Sequence, residues 1–333
     1  MPRTSVVIPV HNWASLTRQC LDALFDTPSG TEDVEIVVVD DASSDATPET
    51  LAAYGSRIRT VHHPTNTGFG RACNDGAAAA TASEYLVFLN NDTIPQPGWL
   101  GALIAECEAY PRAAVVGSQL LFPNGTIQHA GVVICQDGYP RHVYSGFPAH
   151  HPAVNKARRF QAVTAACALF RRPVFDQVHG FDTAFRNGYE DVDLCLRIGA
   201  LGHEVRYCPQ SVLYHLESLS RATRTAEYLH NDALYRERWG ERARPDDVDF
   251  YLEDGLITFT YGDYYPVRIE IEPLLGVSRE SDESGADRLL AARARQVFEL
   301  LRDNIRLASL LREAEGRTSK PAISPASGVG GDR

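Results

Sequence analysis

The stretch Tyr-Leu-Val-Phe-Leu-Asn-Asn-Asp at 85–92 does most to limit what this chain can fold into. Its first half is a continuous run of apolar side chains that leaves no face for water. A strand here must be covered on both sides, as the inner strands of a parallel sheet are. Polarity then begins abruptly. Asn90, Asn91 and Asp92 would stand at the carboxyl end of that strand, the edge of an open α/β sheet where ligands bind. A carboxylate at that place can hold a divalent cation together with a phosphate-bearing ligand. Asn and Asp also form turns after core strands with no ligand involved. The rest of the chain decides between the two.

Upstream, strand and helix patterns alternate. Residues 5–10 are an apolar run containing Val6, Val7 and Ile8 around Pro9, and Trp13, Leu16, Cys20 and Leu24 follow at helical spacing. Residues 34–39 form a second buried run ending in Asp40 and Asp41, after which Thr47 reads as an N-cap with Pro48 at the first helical position. Residues 58–62 read as a short strand. Asn66-Thr67-Gly68-Phe69-Gly70 is a glycine loop opening an alanine-rich helix over 71–82, which delivers the chain to 85–92. This order with short connections predicts an α/β fold with a doubly wound, mostly parallel sheet whose strand ends open onto one crevice.

The second half is less regular. A helix over 99–110, a strand over 114–122, an Asn124-Gly125 turn and a strand over 127–135 imply an antiparallel excursion. Residues 138–159, rich in Pro, His, Gly and Arg, read as a long loop or flap. A strand over 160–170, a helix over 189–201 with Val192, Cys195, Leu196 and Ile198 on its apolar face, and a strand over 204–216 follow. Beyond Arg221 the composition shifts to a charged amphipathic helix over 225–239 and a β-like segment over 249–272 that suits a small appended sheet. Leu290, Ala294, Val297, Leu301, Asn304, Ala308 and Leu311 alternate spacings of four and three. Such a stripe packs a helix on its own domain or forms a weak coiled-coil dimer. From Gly316 the composition is that of a disordered tail. The organisation expected is a main domain over 1–220 with halves meeting near 110, an extension over 221–286, a helix over 287–315 and a tail over 316–333.

Composition removes some functions. With 43 acidic against 32 basic residues the net charge is −11, which argues against nucleic acid and against an anionic membrane surface as general partners. Seven scattered cysteines without C-x-x-C suit a reducing cytoplasm. No apolar run approaches the ~20 residues of a spanning helix and no signal peptide precedes the first strand, so a cytoplasmic protein, at most peripheral at the inner face of a membrane, is expected.

Several separated motifs share the predicted crevice. They are Val-Val-Ile-Pro-Val-His-Asn (6–12), Val-Val-Val-Asp-Asp-Ala-Ser-Ser-Asp-Ala-Thr (37–47), Asn-Thr-Gly-Phe-Gly-Arg-Ala-Cys-Asn-Asp-Gly (66–76) and Leu-Asn-Asn-Asp (89–92). Gly-Phe-Asp (180–182) and Tyr-Glu-Asp-Val-Asp-Leu-Cys-Leu-Arg (189–197) extend the series. In this order they resemble the family 2 glycosyltransferases of the GT-A fold. That resemblance implies inverting transfer of a sugar from a UDP- or dTDP-linked donor to a glycan or lipid-linked acceptor. It implies that Asp41 bonds the pyrimidine base, that Pro9 and Asn12 shape the base and ribose pocket, and that Asn66 and Arg71 face the base or the diphosphate. Asn91 and Asp92 would meet the donor, Asp92 and His215 would hold Mg²⁺ or Mn²⁺, and Asp191 would be the general base. Residues 164–167 and the loop at 142–151 would wall the acceptor. Asn90 and Asn91 depart from the family's usual aspartates and remove negative charge beside the metal. The stretch 124–131, Asn-Gly-Thr-Ile-Gln-His-Ala-Gly, looks like rhamnosyltransferase-type members that build bacterial surface polysaccharides.

Each residue also has a plainer explanation. Asp40 and Asp41 can cap a turn, Arg71 can be solvated, a lone histidine after a strand can be structural, and Glu190 and Asp191 suit a helix dipole. A dinucleotide dehydrogenase is excluded, since no G-x-G-x-x-G follows the first strand. A sugar-nucleotide pyrophosphorylase lacks its glycine-rich basic loop here. A noncatalytic nucleotide-sugar binding or scaffold module stays open.

Overall fold

The computed structural model describes residues 3–31, 33–81, 83–216, 225–261 and 267–276. The striped segment at 287–311 and the tail from 316, with any dimer contact through them, lie outside the described residues. The chain opens with β1 (Thr4–Val10), α1 (Ala14–Asp26), β2 (Val34–Asp40), α2 (Thr47–Ala52), β3 (Arg59–His62), α3 (Phe69–Ala79) and β4 (Tyr85–Leu89). These strands run parallel in the order β4-β1-β2-β3. Alternate residues divide between two cores. Val7, Val37, Val39, Leu86 and Phe88 join the layer holding Ala72, Cys73 and Ala77 of α3, whereas Val6, Ile8, Ile36, Val38 and Val87 join Cys20 and Leu21 of α1. A period of two with both faces buried is why these strands read as unbroken apolar runs.

Two local expectations differ in detail. Trp13 does not join the buried stripe of α1; it is left-handed (φ 63°) and 42 % exposed, and the helix after it buries Thr17, Cys20 and Leu21. Thr47 is not the cap of α2. Thr47 is the first helical residue, after the N-cap Ala46, and Asp45 steadies the entry, its Oδ1 accepting from the Thr47 N–H at 3.0 Å and the Thr47 hydroxyl at 2.6 Å.

The chain continues through β5 (Thr93–Pro95), α4 (Trp99–Ala109), β6 (Ala113–Leu121), β7 (Ile127–His129), β8 (Val132–Ile134), β9 (Pro140–His142), β10 (Arg158–Phe160), β11 (Cys167–Arg171), α5 (Arg172–Gln177), α6 (Glu190–Ala200) and β12 (Glu204–His215). The central sheet has the order β10-β12-β6-β11-β4-β1-β2-β3, with β5 on β12 and β7 on β6. β11 runs antiparallel between β4 and β6, while β6 and β12 are parallel. The antiparallel pairs of this sheet thus all involve strands after residue 92.

Three segments correct the sequence reading. The strand expected over 127–135 breaks at Gly131, whose φ of 118° and a Phe160 ring carbon 2.4 Å from where a Cβ would stand leave room only for glycine. The strand expected over 160–170 is two strands, β10 and β11, joined by a crossing at 161–166. The supposed flap at 138–159 is packed: Val143, Tyr144, Phe147 and Val154 are buried in a third core with Tyr207 and Tyr251, around the short 3-10 helix Pro152–Asn155.

Beyond the sheet lie α7 (Thr225–Trp239), α8 (Asp247–Glu253), β13 (Ile257–Tyr261) and β14 (Val267–Ile271). The small sheet expected over 249–272 is the β13–β14 antiparallel pair, preceded by a helix. Tyr235 and Trp239 of α7 are buried in the same core as Phe88 and Leu194. Asp193 of α6, wholly buried, ties these helices: it takes Arg197 Nε at 2.7 Å, Arg238 Nη1 at 3.1 Å and Trp239 Nε1 at 3.0 Å. A buried carboxylate is tolerated only with such company. Among the described residues no helix is long and apolar enough to cross a membrane.

Candidate active site

The carboxyl ends of β1, β2, β4 and β12 lie on one edge of the sheet, where β11 begins with Cys167 opposite Leu89. At the β1 end, Pro9 pairs with Val39 beyond Val7, the last β1 residue opposite β4. Asn12 is left-handed (φ 62°), a conformation Asn tolerates better than most. Its N–H donates to Ser43 Oγ at 2.8 Å and its Oδ1 accepts from the Ser44 N–H at 2.8 Å, which locks the loops after β1 and β2 together.

Asp41 is 3 % exposed and heavily engaged. Its carboxylate accepts from the Thr67 N–H at 2.8 Å, the Thr67 hydroxyl at 2.8 Å, the Gly68 N–H at 2.9 Å and His63 Nδ1 at 2.8 Å. Burial alone would push this carboxyl up; the bonds from His63, Thr67 and Gly68 outweigh it and hold the group below its ordinary range. Asp41 therefore carries the glycine loop. The other His63 nitrogen lies 3.2 Å from Asp75, which also takes Arg71 Nε at 2.7 Å. Arg71 and Asn66 stand exposed on the rim.

Asp92 is 4 % exposed and His215 Nε2 lies 3.1 Å from its Oδ1. The approach follows from topology: β5 pairs Thr93 with His215, and the Leu216 N–H donates to Asp92 O at 2.9 Å. Gln128 Oε1 lies 2.5 Å from His215 Nδ1, and Asn90 Nδ2 lies 3.3 Å from Nε2. With Nδ1–H given to Gln128, the Nε2 lone pair faces a carboxylate, and a cation between the two satisfies both. Among the described residues no three His, Cys, Asp or Glu side chains gather to hold a metal. Asp92 and His215 fit as two protein ligands, the remaining places suiting diphosphate oxygens and water, as hard cations prefer. Asn91 is turned away, its Nδ2 donating to Thr17 Oγ1 of α1 at 2.9 Å.

Asp191 opens α6. Its Oδ1 accepts from the Val192 N–H at 2.8 Å and its Oδ2 from the Ala165 N–H at 3.2 Å. The same crossing binds the end of β4, since Ala166 O accepts from the Asn90 N–H at 2.9 Å. Asn187, Gly188 and Tyr189, which lead into α6, all have positive φ (53°, 148° and 69°). Asn231 of α7, 1 % exposed, clasps this turn: its amide donates to Arg186 O at 2.7 Å and Gly188 O at 3.0 Å, and its oxygen accepts from the Arg186 N–H at 3.0 Å. Tyr189 stacks on Tyr235 at 5.0 Å, and Glu190 accepts from the Gly188 N–H. Gly180, at φ 67°, has Asn74 Oδ1 2.3 Å from where a Cβ would stand, so the Gly-Phe-Asp motif is clasped by α3 through Asn74.

The structure thus puts Pro9, Asn12 and Asp41 at the neighbouring ends of β1 and β2, pairs Asp92 with His215, and links Asp191 to the end of β4 through the 165–166 backbone; Asn91, Asn66 and Arg71 stand apart from those contacts. His63, Gln128 and Asn231 were not expected at the site. Asn231 could be suspected only as an amide within a charged helix; its burial depends on partners 45 residues away.

Over residues 5–178, more than half its length, the chain matches the family described as Glycosyl transferase family 2. It is 34% identical over 259 residues to the O-antigen biosynthesis protein RfbC of Myxococcus xanthus, covering 73% of this chain and 20% of that one. It is 26% identical over 228 residues to the N-acetylglucosaminyl-diphospho-decaprenol L-rhamnosyltransferase of Mycobacterium tuberculosis, covering 61% of this chain and 73% of that one. The chain spans only a fifth of RfbC. Among solved structures, the mannosyltransferase PcManGT of Pyrobaculum calidifontis with GDP-Man and Mn²⁺ superposes with a TM-score of 0.52 at 19% identity, over 92% of this chain and 80% of that one. GalNAc-T7 with UDP, GalNAc and Mn²⁺ gives 0.54 at 16% identity, over 77% and 55%. By the extent of the family match, and with a mixed sheet that superposes on both solved structures, this chain belongs to glycosyl transferase family 2 and has the GT-A fold.

Proposed function

We propose that the protein is a metal-dependent inverting glycosyltransferase. It moves a sugar from a UDP- or dTDP-linked donor to a hydroxyl of a glycan or lipid-linked acceptor in bacterial polysaccharide or glycoconjugate synthesis, working in the cytoplasm or at the inner face of the membrane. The observation that carries this reading is that Asp92, paired with His215, and Asp191 are both tied to the junction where β4 ends and β11 begins. Pro9, Asn12 and Asp41 receive the base and ribose, with Asn66 and Arg71 on the rim of that pocket and Asn91 supporting the β4 end. Asp92 and His215 would hold Mg²⁺ or Mn²⁺, which would supply charge neutralisation for the departing nucleoside diphosphate. Support comes from the two solved relatives, one binding UDP and the other GDP-Man, each with Mn²⁺. The O-antigen and rhamnosyltransferase relatives support the surface-polysaccharide setting.

Asp191 accepts the proton of the acceptor hydroxyl as that oxygen bonds to the anomeric carbon. The bond from that carbon to the diphosphate oxygen breaks in the same step, and its electron pair leaves with the nucleotide. One displacement inverts the anomeric centre. The test is to incubate the full chain and Mn²⁺ with UDP-, dTDP- and GDP-sugars, follow nucleoside diphosphate release, and assign the product by proton NMR. Release from one nucleotide class with inverted configuration is expected. A retained configuration overturns the single displacement, and nucleotide binding without turnover of any donor makes the protein a binding module instead.

A further inference from the structure

The stretch 124–131 has no part in the roles above, yet it carries two deeply buried polar side chains, Gln128 at 3 % and His129 at 0 % exposure. The pairing of β7 with β6 sets Ile127 opposite Leu121 and His129 opposite Leu120, so Gln128 is an extra residue with no partner across the ladder. Along an unbroken strand neighbouring side chains point to opposite faces, and a bulge breaks that alternation and re-aims them. Both side chains here reach the lining of the crevice. Gln128 Oε1 accepts from His215 Nδ1 at 2.5 Å. His129 donates from Nδ1 to Ser118 O at 2.9 Å and accepts at Nε2 from the Thr164 N–H at 3.2 Å, which fixes its ring as one neutral tautomer. The next N–H along the chain, that of Ala165, is the one on Asp191.

We propose that Gln128 and His129 are the shared positioning residues of the site: Gln128 fixes the His215 ring with Nε2 toward Asp92, and His129 fixes the 164–165 backbone on which the Asp191 carboxylate is set. This rests on the roles given above to Asp92, His215 and Asp191. Neither residue touches the reacting atoms. A single bulge thereby aligns the metal side and the proton-accepting side of the crevice from one place in the chain.

The test uses the full chain and whichever of UDP, dTDP and GDP the wild type binds with Mn²⁺. Mn²⁺ affinity in the presence of that nucleotide is read by calorimetry, kcat and KM by turnover, and folding by thermal melt. Gln128→Leu should weaken Mn²⁺ about 10- to 100-fold, the range for an outer partner of a metal-bound histidine, and Gln128→Glu, which also accepts from Nδ1–H, should restore it. His129→Phe should lower kcat about 10- to 100-fold through misplacement of the base, with Mn²⁺ affinity and donor KM unchanged. Should His129→Phe fail to fold, His129→Gln keeps one donor and one acceptor and should retain both kcat and Mn²⁺ affinity; a folded His129→Gln with impaired Mn²⁺ affinity overturns the division of roles. Equal losses of affinity and kcat in both variants, in step with falling melting temperatures, mean packing alone and overturn the proposal. Wild-type binding that Gln128→Leu leaves intact overturns the positioning alone, whereas a wild type that binds none of the three overturns the reading of the site with it.

Discussion

The two sides of the crevice are built on opposite plans. On the side proposed to take the donor, residues 4–92, the candidate positions follow the ends of parallel strands, and the loops are held largely by bonds between strand-end side chains and backbone N–H groups, as in Asn12 to Ser44 and Asp41 to Thr67 and Gly68. On the side proposed to take the acceptor, Asp191 depends on a backbone crossing bonded to His129, a turn clasped by Asn231 and a helix anchored through the buried Asp193. The difference teaches where each half is vulnerable. A strand end is fixed by the whole sheet, whereas a turn held by a few buried polar side chains loses its geometry with any one of them.

The sharpest way to break this comparison is Asp191→Asn. Turnover should fall roughly 10²-fold or more while nucleotide affinity stays at the wild-type value, because the base belongs to the acceptor side alone. Titration with nucleoside diphosphate beside a turnover assay checks it, and near-normal turnover removes Asp191 from the chemistry. Next in size, Asp92→Ala should weaken Mn²⁺-dependent nucleotide binding and abolish the response to added metal; calorimetry with and without Mn²⁺ decides, and undiminished affinity with a normal metal response would sink the assignment.

The smallest effect is expected from Asp41→Asn, which tests whether the donor side is held by its loops. Losing a charged acceptor for Thr67, Gly68 and His63 should lower stability by about 1–2 kcal/mol. The sign with pH follows from the lowered carboxyl of Asp41: its contribution is complete above the ordinary value of 3.8 and is lost as pH falls below that value through the lowered one. Melts of both proteins from neutral to strongly acid pH should therefore converge only in that acid range. A constant gap down to the lowest pH would mean that Asp41 contributes by shape and not by charge.

Legibility divides along the same line. β1, β2 and β4 could be read because burial on both faces writes itself as an apolar run, and the polar residues that end each run mark the ligand edge. Asp92, His215 and Asp191 could be named because ordered motifs carried them. Apolar content misled where it continued through a break: Ala162, Val163, Ala165 and Ala166 are buried within the crossing between β10 and β11 and still read as strand. Polar and Pro/Gly-rich composition misled in the opposite way at 138–159, where Tyr144 and Phe147 pack in a core without any period that a single sequence would show. Gln128 and Asn231 escaped for a different reason. Their meaning lies in partners 87 and 45 residues distant, and nothing local marks an amide as buried.

The clasp on the 187–189 turn also sets an order of events. Synthesised from its N-terminus, the chain has all four strand ends of the donor side once residue 92 is made. The three successive residues of positive φ that lead to Asp191 then have local bonds such as Gly188 N–H to Glu190, and gain their clasp only when Asn231 and Tyr235 of α7 have emerged. A nascent chain therefore makes the strand ends of residues 4–92 before the turn ahead of Asp191 can be clasped, and α7 is the helix that completes that clasp.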